Sequence, residues 1–206
     1  MRTVKKVKIG VIGGTGLESL FEGVETVNVG TPYGFSHGIQ IGELNGKRIA
    51  FLPRHGRRHE FPPHKVNYRA NIYALHKIGV ERIIATNAVG AINLNFKPGD
   101  LVVPHDLIDF TKHRQQTFYD YAPVKHIDFT EPYCPEIRRV LIETARNFSN
   151  VHEKAIYVCT EGPRFETPAE IRMFRILGCD IVGMTGVPEA VLARELGICY
   201  ATLCFV

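Results

Sequence analysis

The sequence lacks several patterns that mark particular classes of protein. Its five cysteines include no CxxC pair, and three of them lie in apolar runs typical of strands. Buried, reduced thiols and a cytoplasmic location are therefore expected. No signal peptide is evident, and no apolar segment approaches the length of a membrane span. We therefore expect a soluble protein that does not act at a membrane.

The chain also has little excess charge of either sign. The formal net charge is +4, and basic residues are scattered among acidic ones along most of the sequence. The exceptions are residues 54–59 and the N-terminal Lys5, Lys6 and Lys8. Nucleic-acid-binding proteins carry a basic stripe or patch, which this pattern does not provide. A small anionic substrate is the partner that such local basic groups favour.

Internal repeats, low-complexity tracts and recognisable linkers are absent as well. At 206 residues, 45% of them hydrophobic, the chain can form one full core but is too short for two ordinary domains. We expect one α/β domain over residues 1–206. Because the chain stops at Val206 inside an apolar run, we also expect further chain after this residue.

Apolar runs of strand length alternate with segments that have helical spacing. This alternation predicts a mainly parallel sheet covered by helices on both faces. Residues 106–121 are polar and aromatic, and we interpret them as a loop or lid. Predicted strands cover residues 8–12, 39–44, 48–52, 82–85, 101–104 and 155–159, with further strands starting at residues 181 and 198; predicted helices cover residues 66–77, 135–148 and 168–177, with a last one from Pro188 to Gly197.

Three glycine-rich turns follow predicted strands. They are residues 13–16 (GGTG), 86–90 (TNAVG) and 183–186 (GMTG). A parallel sheet binds its ligands at the carboxyl ends of its strands, where such turns lie. Glycine N–H groups and a threonine hydroxyl are suited to hold a phosphate. Thr185 has a simpler alternative role as the cap of the following helix, but the three turns together favour an anion site.

Dinucleotide binding is the rival interpretation of the first turn. That fold requires an acidic residue about twenty residues after the glycines, to hold the ribose. Here the second strand after the turn ends at Arg54 and His55 instead. Arg54 can bind two phosphate oxygens through its planar fork, and His55 can donate one more hydrogen bond. The alternative is that Arg54 and Arg57 are solvated surface charges.

The histidines at positions 55 and 59 do not match a zinc site. The zinc-protease pattern needs a glutamate directly after the first histidine on a helix, whereas Gly56 follows His55 and prolines flank the stretch. No serine lies in a GxSxG setting, and no cysteine lies at a predicted helix start. The sequence therefore offers no covalent nucleophile of its own, which fits a reaction in which bound phosphate is the nucleophile.

Together these motifs resemble the methylthioadenosine phosphorylase branch of the purine nucleoside phosphorylases. The resemblance runs in order from Ile9 to Val206, through residues 13–16 (GGTG), 54–56 (RHG), 63–71 (PHKVNYRAN), 87–90 (NAVG), 160–165 (TEGPRF) and 184–189 (MTGVPE). It implies a twisted sheet wrapped by helices and a trimer or dimer of trimers. It also implies phosphorolysis of purine nucleosides to a free purine and a (5-methylthio)ribose 1-phosphate. Inorganic phosphate would be a co-substrate, with no cofactor and no metal.

The resemblance also implies roles for individual residues. Phosphate would be surrounded by Thr15, Arg54, His55, Ala88 through its backbone, Thr185, and Asn87 beside Ala88. Met184 would lie against the ribose, and Phe165 would contact the purine ring, where an aromatic stack contributes roughly 1–3 kcal/mol. His126 resembles a residue that the family lends to the 5′ pocket of a neighbouring subunit.

The residue that sets base preference in the family would follow Val206. The resemblance therefore assigns no catalytic residue to this chain, because the donor to purine N7 is expected beyond its end. Gly186 resembles the methylthioinosine version of the motif and favours 6-oxopurine nucleosides, namely 5′-methylthioinosine and inosine. 5′-Methylthioadenosine is the alternative substrate. Two other classes stay open, an NAD(P)-binding oxidoreductase and a non-catalytic purine-binding protein.

Overall fold

A computed structural model describes residues 7–17, 19–21, 24, 26–36 and 38–206. Lys5 and Lys6 of the N-terminal basic group lie outside the described residues. The strands are β1 Ile9–Gly13, β2 Thr26–Val27, β3 Gly30–Thr31, β4 Gly34–Phe35, β5 Ile39–Leu44, β6 Lys47–Pro53, β7 Arg82–Ala88, β8 Gly90–Ala91, β9 Leu101–Val102, β10 Asp106–Phe110, β11 Val151–His152, β12 Ile156–Thr160, β13 Ile181–Gly183 and β14 Cys199–Phe205. The helices are α1 Tyr68–Lys77, α2 Pro135–Ala145, α3 Pro168–Ile176 and α4 Glu189–Glu195, with a 3-10 turn at Pro63–Lys65.

A sheet of eight strands forms the centre of the fold, in the order β11-β9-β14-β7-β1-β6-β5-β2. Its four central strands, β14, β7, β1 and β6, are parallel, and β5 returns beside β6 as an antiparallel hairpin arm. The predicted mainly parallel central sheet is therefore confirmed. Because β1 and β6 are in register from Ile9 opposite Ile49 to Gly13 opposite Pro53, the turns after both strands start at the same edge.

A second sheet of four strands, β10-β12-β13-β8, was not predicted. β13 pairs with β12 in parallel, so the strand before the 183–186 turn belongs to this smaller sheet, while β14 belongs to the large one. The prediction that residues 106–121 form a loop or lid is wrong for their first part. Asp106–Phe110 is a strand because β12 supplies backbone partners along its whole length, which a segment interrupted by Asp106 and Asp109 does not indicate.

The helices begin and end at residues with clear local reasons. In α1 the side chain of Asn67 accepts a hydrogen bond from the Ala70 N–H, so the helix starts two residues later than predicted. α3 begins with a full capping box between Thr167 and Glu170. Pro188 was expected to be the first residue of α4, but it precedes the helix as its N-cap residue.

The largest hydrophobic core lies between the large sheet and the helices. Residues from β1, β6, β7 and β14 pack there against α1, α2 and α4. Two smaller cores involve residues of the second sheet. Among the described residues, no helix combines the length and the apolar character needed to cross a bilayer.

Four of the five cysteines are buried, as predicted, and Cys199 is half-buried. Cys134 is the N-cap residue of α2, so the expectation that no cysteine lies at a helix start is wrong. The ligand atoms of Cys134, Glu136 and Cys199 lie within 4.8 Å of one another. None of these three residues lines the cavity in which the predicted site residues meet.

Candidate active site

A cavity of about 430 Å³ brings most of the predicted site residues together. It opens where the carboxyl ends of β1, β6 and β7 meet the turn that follows β13. Eight of the nine candidates line it: Thr15, Arg54, His55, Asn87, Ala88, Phe165, Met184 and Thr185. The ninth, His126, is exposed and is not part of the lining. Residues from both sheets therefore share one site.

Arg54 is buried and is already held by an acidic partner. The residue is 1% exposed, and Nε donates to Glu189 Oε1 at 2.5 Å while Nη2 donates to Glu189 Oε2 at 2.9 Å. Nη1 donates to the carbonyl oxygen of Thr86 at 2.8 Å. Burial lowers the pKa of Arg54, but the Glu189 carboxylate outweighs this effect and raises it overall. The interpretation of Arg54 as a solvated surface charge is therefore wrong, whereas Arg57 is exposed.

His55 is also buried, with one ring nitrogen fixed by the backbone. Its Nδ1 lies 2.7 Å from the carbonyl oxygen of Phe61. Because a carbonyl oxygen only accepts, we assign the proton of the neutral ring to Nδ1, and Nε2 is then an acceptor. Burial lowers the pKa of His55, the nearby Arg54 charge adds to this, and the Phe61 carbonyl opposes it. The neutral ring therefore donates through Nδ1 to Phe61, and Nε2 can donate to phosphate only when the ring is protonated.

Thr185 and Asn87 form a hydrogen-bonded chain between the two sheets. The Thr185 hydroxyl donates to Asn87 Oδ1 at 2.6 Å, and Asn87 Nδ2 donates to the Thr202 hydroxyl at 2.6 Å. The interpretation of Thr185 as a helix cap is wrong, because no side chain caps α4. Asn87 lines the cavity together with Thr185, and its contacts make it a support for Thr185.

The first glycine-rich turn needs glycine because other backbone lies against it. The Gly14 N–H donates to the Thr86 hydroxyl at 2.9 Å. A Cβ atom at Gly14 would lie 2.5 Å from the Thr86 carbonyl oxygen and 2.9 Å from Nη1 of Arg54. The turn therefore packs directly against Arg54, which lines the same cavity. Thr15 also lines the cavity and is exposed.

Two apolar candidates, Met184 and Phe165, complete the lining. Met184 is half-buried, and its sulfur would come within 2.7 Å of a Cβ at Gly162. The Phe165 ring is 85% exposed, so it borders the cavity with most of its surface free. A ring in this position can cover a planar base without first moving another side chain.

Several lining residues were not identified from the sequence. Val89 and Val182 add apolar surface, and Glu166 accepts a hydrogen bond from the Thr160 hydroxyl at 2.6 Å. Val89 and Glu166 stand next to predicted residues, which is the signal that would have found them. His59 also lines the cavity and stacks on His55 with ring centroids 4.4 Å apart.

Arg114 supports the site without lining the cavity, and nothing in the sequence marked it. Its side chain is 1% exposed. Nη1 donates to the carbonyl of Val187 at 2.6 Å, and Nη2 donates to that of Met184 at 2.8 Å. Nη2 also reaches the carbonyls of Thr160 and Glu161. One buried cation therefore joins the two loops that carry Phe165 and Met184.

Comparison with known proteins agrees with this geometry. Residues 8–206 match the model of the phosphorylase superfamily. The chain is 57% identical to S-methyl-5′-thioadenosine phosphorylase of Pyrococcus furiosus over 95% of its own length and 77% of the relative's. It is 55% identical to the 6-oxopurine nucleoside phosphorylase of the same organism, over 97% of this chain and 78% of that relative. It is 56% identical to a probable S-methyl-5′-thioinosine phosphorylase of Methanothermobacter thermautotrophicus, over 96% of this chain and 70% of that relative.

Solved structures show the same fold. Methylthioadenosine phosphorylase of Schistosoma mansoni in its apo form superposes with a TM-score of 0.92 at 39% identity, covering 98% of this chain and 80% of that one. The same enzyme in complex with adenine gives a TM-score of 0.92 at 39% identity, covering 98% and 78% of the two chains.

Proposed function

The chain belongs to the phosphorylase superfamily, and on that premise we propose how its cavity cleaves purine nucleosides with phosphate. The reaction releases a free purine and a ribose 1-phosphate or its 5-methylthio form. Membership of this family sets aside the oxidoreductase and the non-catalytic binding protein. The observation that carries the proposal is the meeting of Arg54, Thr185 and Thr15 with Met184 and Phe165 in one cavity.

We propose that phosphate occupies the end of the cavity that is rich in donors. Thr15 contributes a hydroxyl donor, Ala88 its backbone N–H, and Arg54 its fixed charge. The Thr185 hydroxyl donates its proton to Asn87, so its oxygen contacts the anion by accepting from a phosphate hydroxyl. His55 contacts the anion through Nε2, as a donor when the ring is protonated and as an acceptor of a phosphate hydroxyl when it is neutral. Asn87 lies within reach of the same anion and supports Thr185.

In the proposed reaction a phosphate oxygen bonds to C1′ of the sugar as the bond from C1′ to the purine nitrogen breaks. The electron pair of the broken bond leaves with the purine, which takes up one proton, and the attacking hydrogen phosphate gives up one, so protons balance overall. The sugar gains positive charge in the transition state, and the adjacent phosphate stabilises it. Met184 lies against the sugar and Phe165 against the base, so both substrates are held with the reacting atoms in contact.

The proposed reaction needs phosphate as a co-substrate and no metal or organic cofactor. No phosphoanhydride is cleaved, so the phosphate requires no cation to activate a leaving group. The proposed site uses side chains and backbone donors for the anion throughout. We expect dialysis against EDTA to leave the rate of base release unchanged.

We propose 6-oxopurine nucleosides, 5′-methylthioinosine and inosine, as the preferred substrates. Gly186 supports this preference through its resemblance to the methylthioinosine motif. 5′-Methylthioadenosine is the second candidate, favoured by the relative that is 57% identical. Overall identity does not separate the two, because relatives of both kinds are 53–57% identical to the chain.

Base release from 5′-methylthioinosine, inosine and 5′-methylthioadenosine, with and without phosphate, tests these proposals. Strictly phosphate-dependent release is expected, with the two 6-oxopurine nucleosides ahead. Release that proceeds equally without phosphate would contradict the mechanism. A higher kcat/KM for 5′-methylthioadenosine would contradict only the base preference.

Replacement of Arg54 by alanine tests the phosphate site directly. The variant loses the charged donors and leaves Glu189 buried without its partner, so the KM for phosphate should rise about a hundredfold. It should also unfold at lower temperature, because breaking a buried ion pair costs about 3–5 kcal/mol. Steady-state rates at varied phosphate provide the measurement, and an unchanged phosphate dependence would remove Arg54 from the site.

A further inference from the structure

The guanidinium of Arg54 uses three of its hydrogen-bond donors in contacts with the protein. An arginine has five N–H bonds, one on Nε and two on each terminal nitrogen. Glu189 takes the Nε bond and one on Nη2, and the Thr86 carbonyl takes one on Nη1. One N–H bond on each terminal nitrogen is then left. Two such donors match two oxygens of one tetrahedral anion.

Glu189 is itself fixed by a third buried group. Its side chain is 1% exposed, and Oε2 accepts a hydrogen bond from the Tyr200 hydroxyl at 2.9 Å. Burial raises the pKa of Tyr200 well above its usual value, so the hydroxyl keeps its proton at every working pH. Glu189 opens α4, and Tyr200 lies in β14. The carboxylate is therefore paired with Arg54 and is also held in place by Tyr200.

We propose that Glu189, anchored by Tyr200, is a positioning residue that turns the free donors of Arg54 toward the phosphate. This inference rests on the proposed phosphorolysis. Glu189 never touches the phosphate, but it fixes the rotation of the guanidinium and balances its charge while the site is empty. A flexible arginine would lose more conformational entropy on binding the anion. The phosphate affinity of the enzyme therefore depends on a carboxylate behind the arginine.

The variant Glu189→Gln tests this role through the two Michaelis constants. A glutamine amide presents its N–H groups to the guanidinium and can accept with only one oxygen, so the bidentate pair is lost. We expect the KM for phosphate to rise about ten- to a hundredfold. The KM for the nucleoside, and kcat at saturating phosphate, should each change by about twofold or less, because sugar and base are held elsewhere. A merely structural role would instead lower kcat or raise both constants together.

The variants Tyr200→Phe and Tyr133→Phe keep the test decisive if Glu189→Gln does not fold. Tyr200→Phe removes only the donor to Glu189, and we expect the KM for phosphate to rise about threefold. Tyr133→Phe is the matched control, since this ring stacks on Tyr200 at 6.3 Å and its buried hydroxyl has no partner among the described residues. The control should keep the wild-type KM for phosphate.

The outcomes separate the inference from the function on which it rests. Wild-type enzyme that releases base without phosphate would overturn the proposed function. Phosphate-dependent wild type with an unchanged phosphate KM in Glu189→Gln, or in Tyr200→Phe when the former does not fold, would overturn the positioning role alone. Equal increases in Tyr200→Phe and Tyr133→Phe would also overturn it, since the effect would then come from the aromatic packing.

Discussion

At the scale of single residues, His55 links the site to pH. Its pKa is lowered from the ordinary value of 6.5, chiefly by burial, so the unfolded chain takes up a proton at a higher pH than the folded protein does. Stability is therefore full above about pH 6.5 and falls as the pH drops toward and through the lowered value. We expect the melting temperature of the wild type to fall between about pH 7 and pH 5.

The variant His55→Gln isolates this effect. It keeps a polar side chain but cannot titrate, so its melting temperature should fall less over the same pH range. The comparison requires only thermal unfolding of both proteins across the pH series. Parallel pH profiles for the two proteins would show that other groups cause the loss.

Individual residues also show what the sequence could predict about the site. Motif spacing placed Arg54, Asn87 and Thr185 after predicted strands, whose ends were expected to meet at one edge. In the structure Asn87 lies at the end of β7, and Thr185 follows a strand of the second sheet. Their partners could not be predicted in the same way. No local pattern pairs Glu189 with Arg54, because the two residues lie 135 positions apart in the sequence. Such a contact depends on how the two sheets pack, which no local pattern encodes.

At the scale of elements, the turn after β1 depends on close packing at Gly14. A methyl group there meets the Thr86 carbonyl and the Arg54 guanidinium at distances that Cβ atoms do not tolerate. We expect Gly14→Ala to lower stability by about 1–3 kcal/mol. The KM for phosphate should rise as well, because the turn displaces Arg54. Denaturant unfolding and steady-state kinetics measure the two effects.

Gly46→Ala is the control for that substitution. Gly46 lies in the turn between β5 and β6 at a φ of 74°, and a Cβ there meets nothing within 4 Å. The control should lose about 1 kcal/mol from backbone strain and keep its phosphate KM. A phosphate KM that stays at the wild-type value in both variants would contradict the role of the first turn.

Arg114 acts on two loops at once, and a lysine in its place tests this. An ammonium group on a single stem cannot reach the four carbonyls that the guanidinium holds, so some of them are left buried without a donor. We expect Arg114→Lys to raise the KM for the nucleoside more than the KM for phosphate, because the loops carry Phe165 and Met184. Kinetics at varied nucleoside measure this, and a selective rise in phosphate KM would contradict it.

Elements were predicted well where apolar residues recur at regular spacing. They were predicted poorly where pairing with another strand determines the structure. The hairpin of β5 and β6, the helices α1, α2 and α3, and the central strands all lie close to their predicted bounds. β10 was missed because Asp106 and Asp109 interrupt its apolar residues and none of its five residues is buried, so only its pairing with β12 makes it a strand. The sequence likewise did not predict that β13 and β14 belong to different sheets, since both are apolar runs of similar character.

At the scale of the whole molecule, we propose assembly as a trimer or dimer of trimers, with His126 entering a neighbour's site. His126 is exposed and does not line the cavity of its own chain. We expect His126→Ala to keep the wild-type oligomeric state in light scattering. Its KM for 5′-methylthio nucleosides should rise severalfold, whereas its KM for phosphate should not. A monomeric wild type would remove any role for His126 across subunits.

The hydrogen bond from Thr185 to Asn87 joins the small sheet to the large one across the cavity. A phosphate bound there would contact groups on both sides of that junction, so its binding free energy also resists separation of the sheets. Bound phosphate therefore stabilises the contact between the two sheets. Saturating phosphate should slow amide hydrogen exchange in β13 and β7 alike, while α2, which contributes no residue to the cavity lining, exchanges as before.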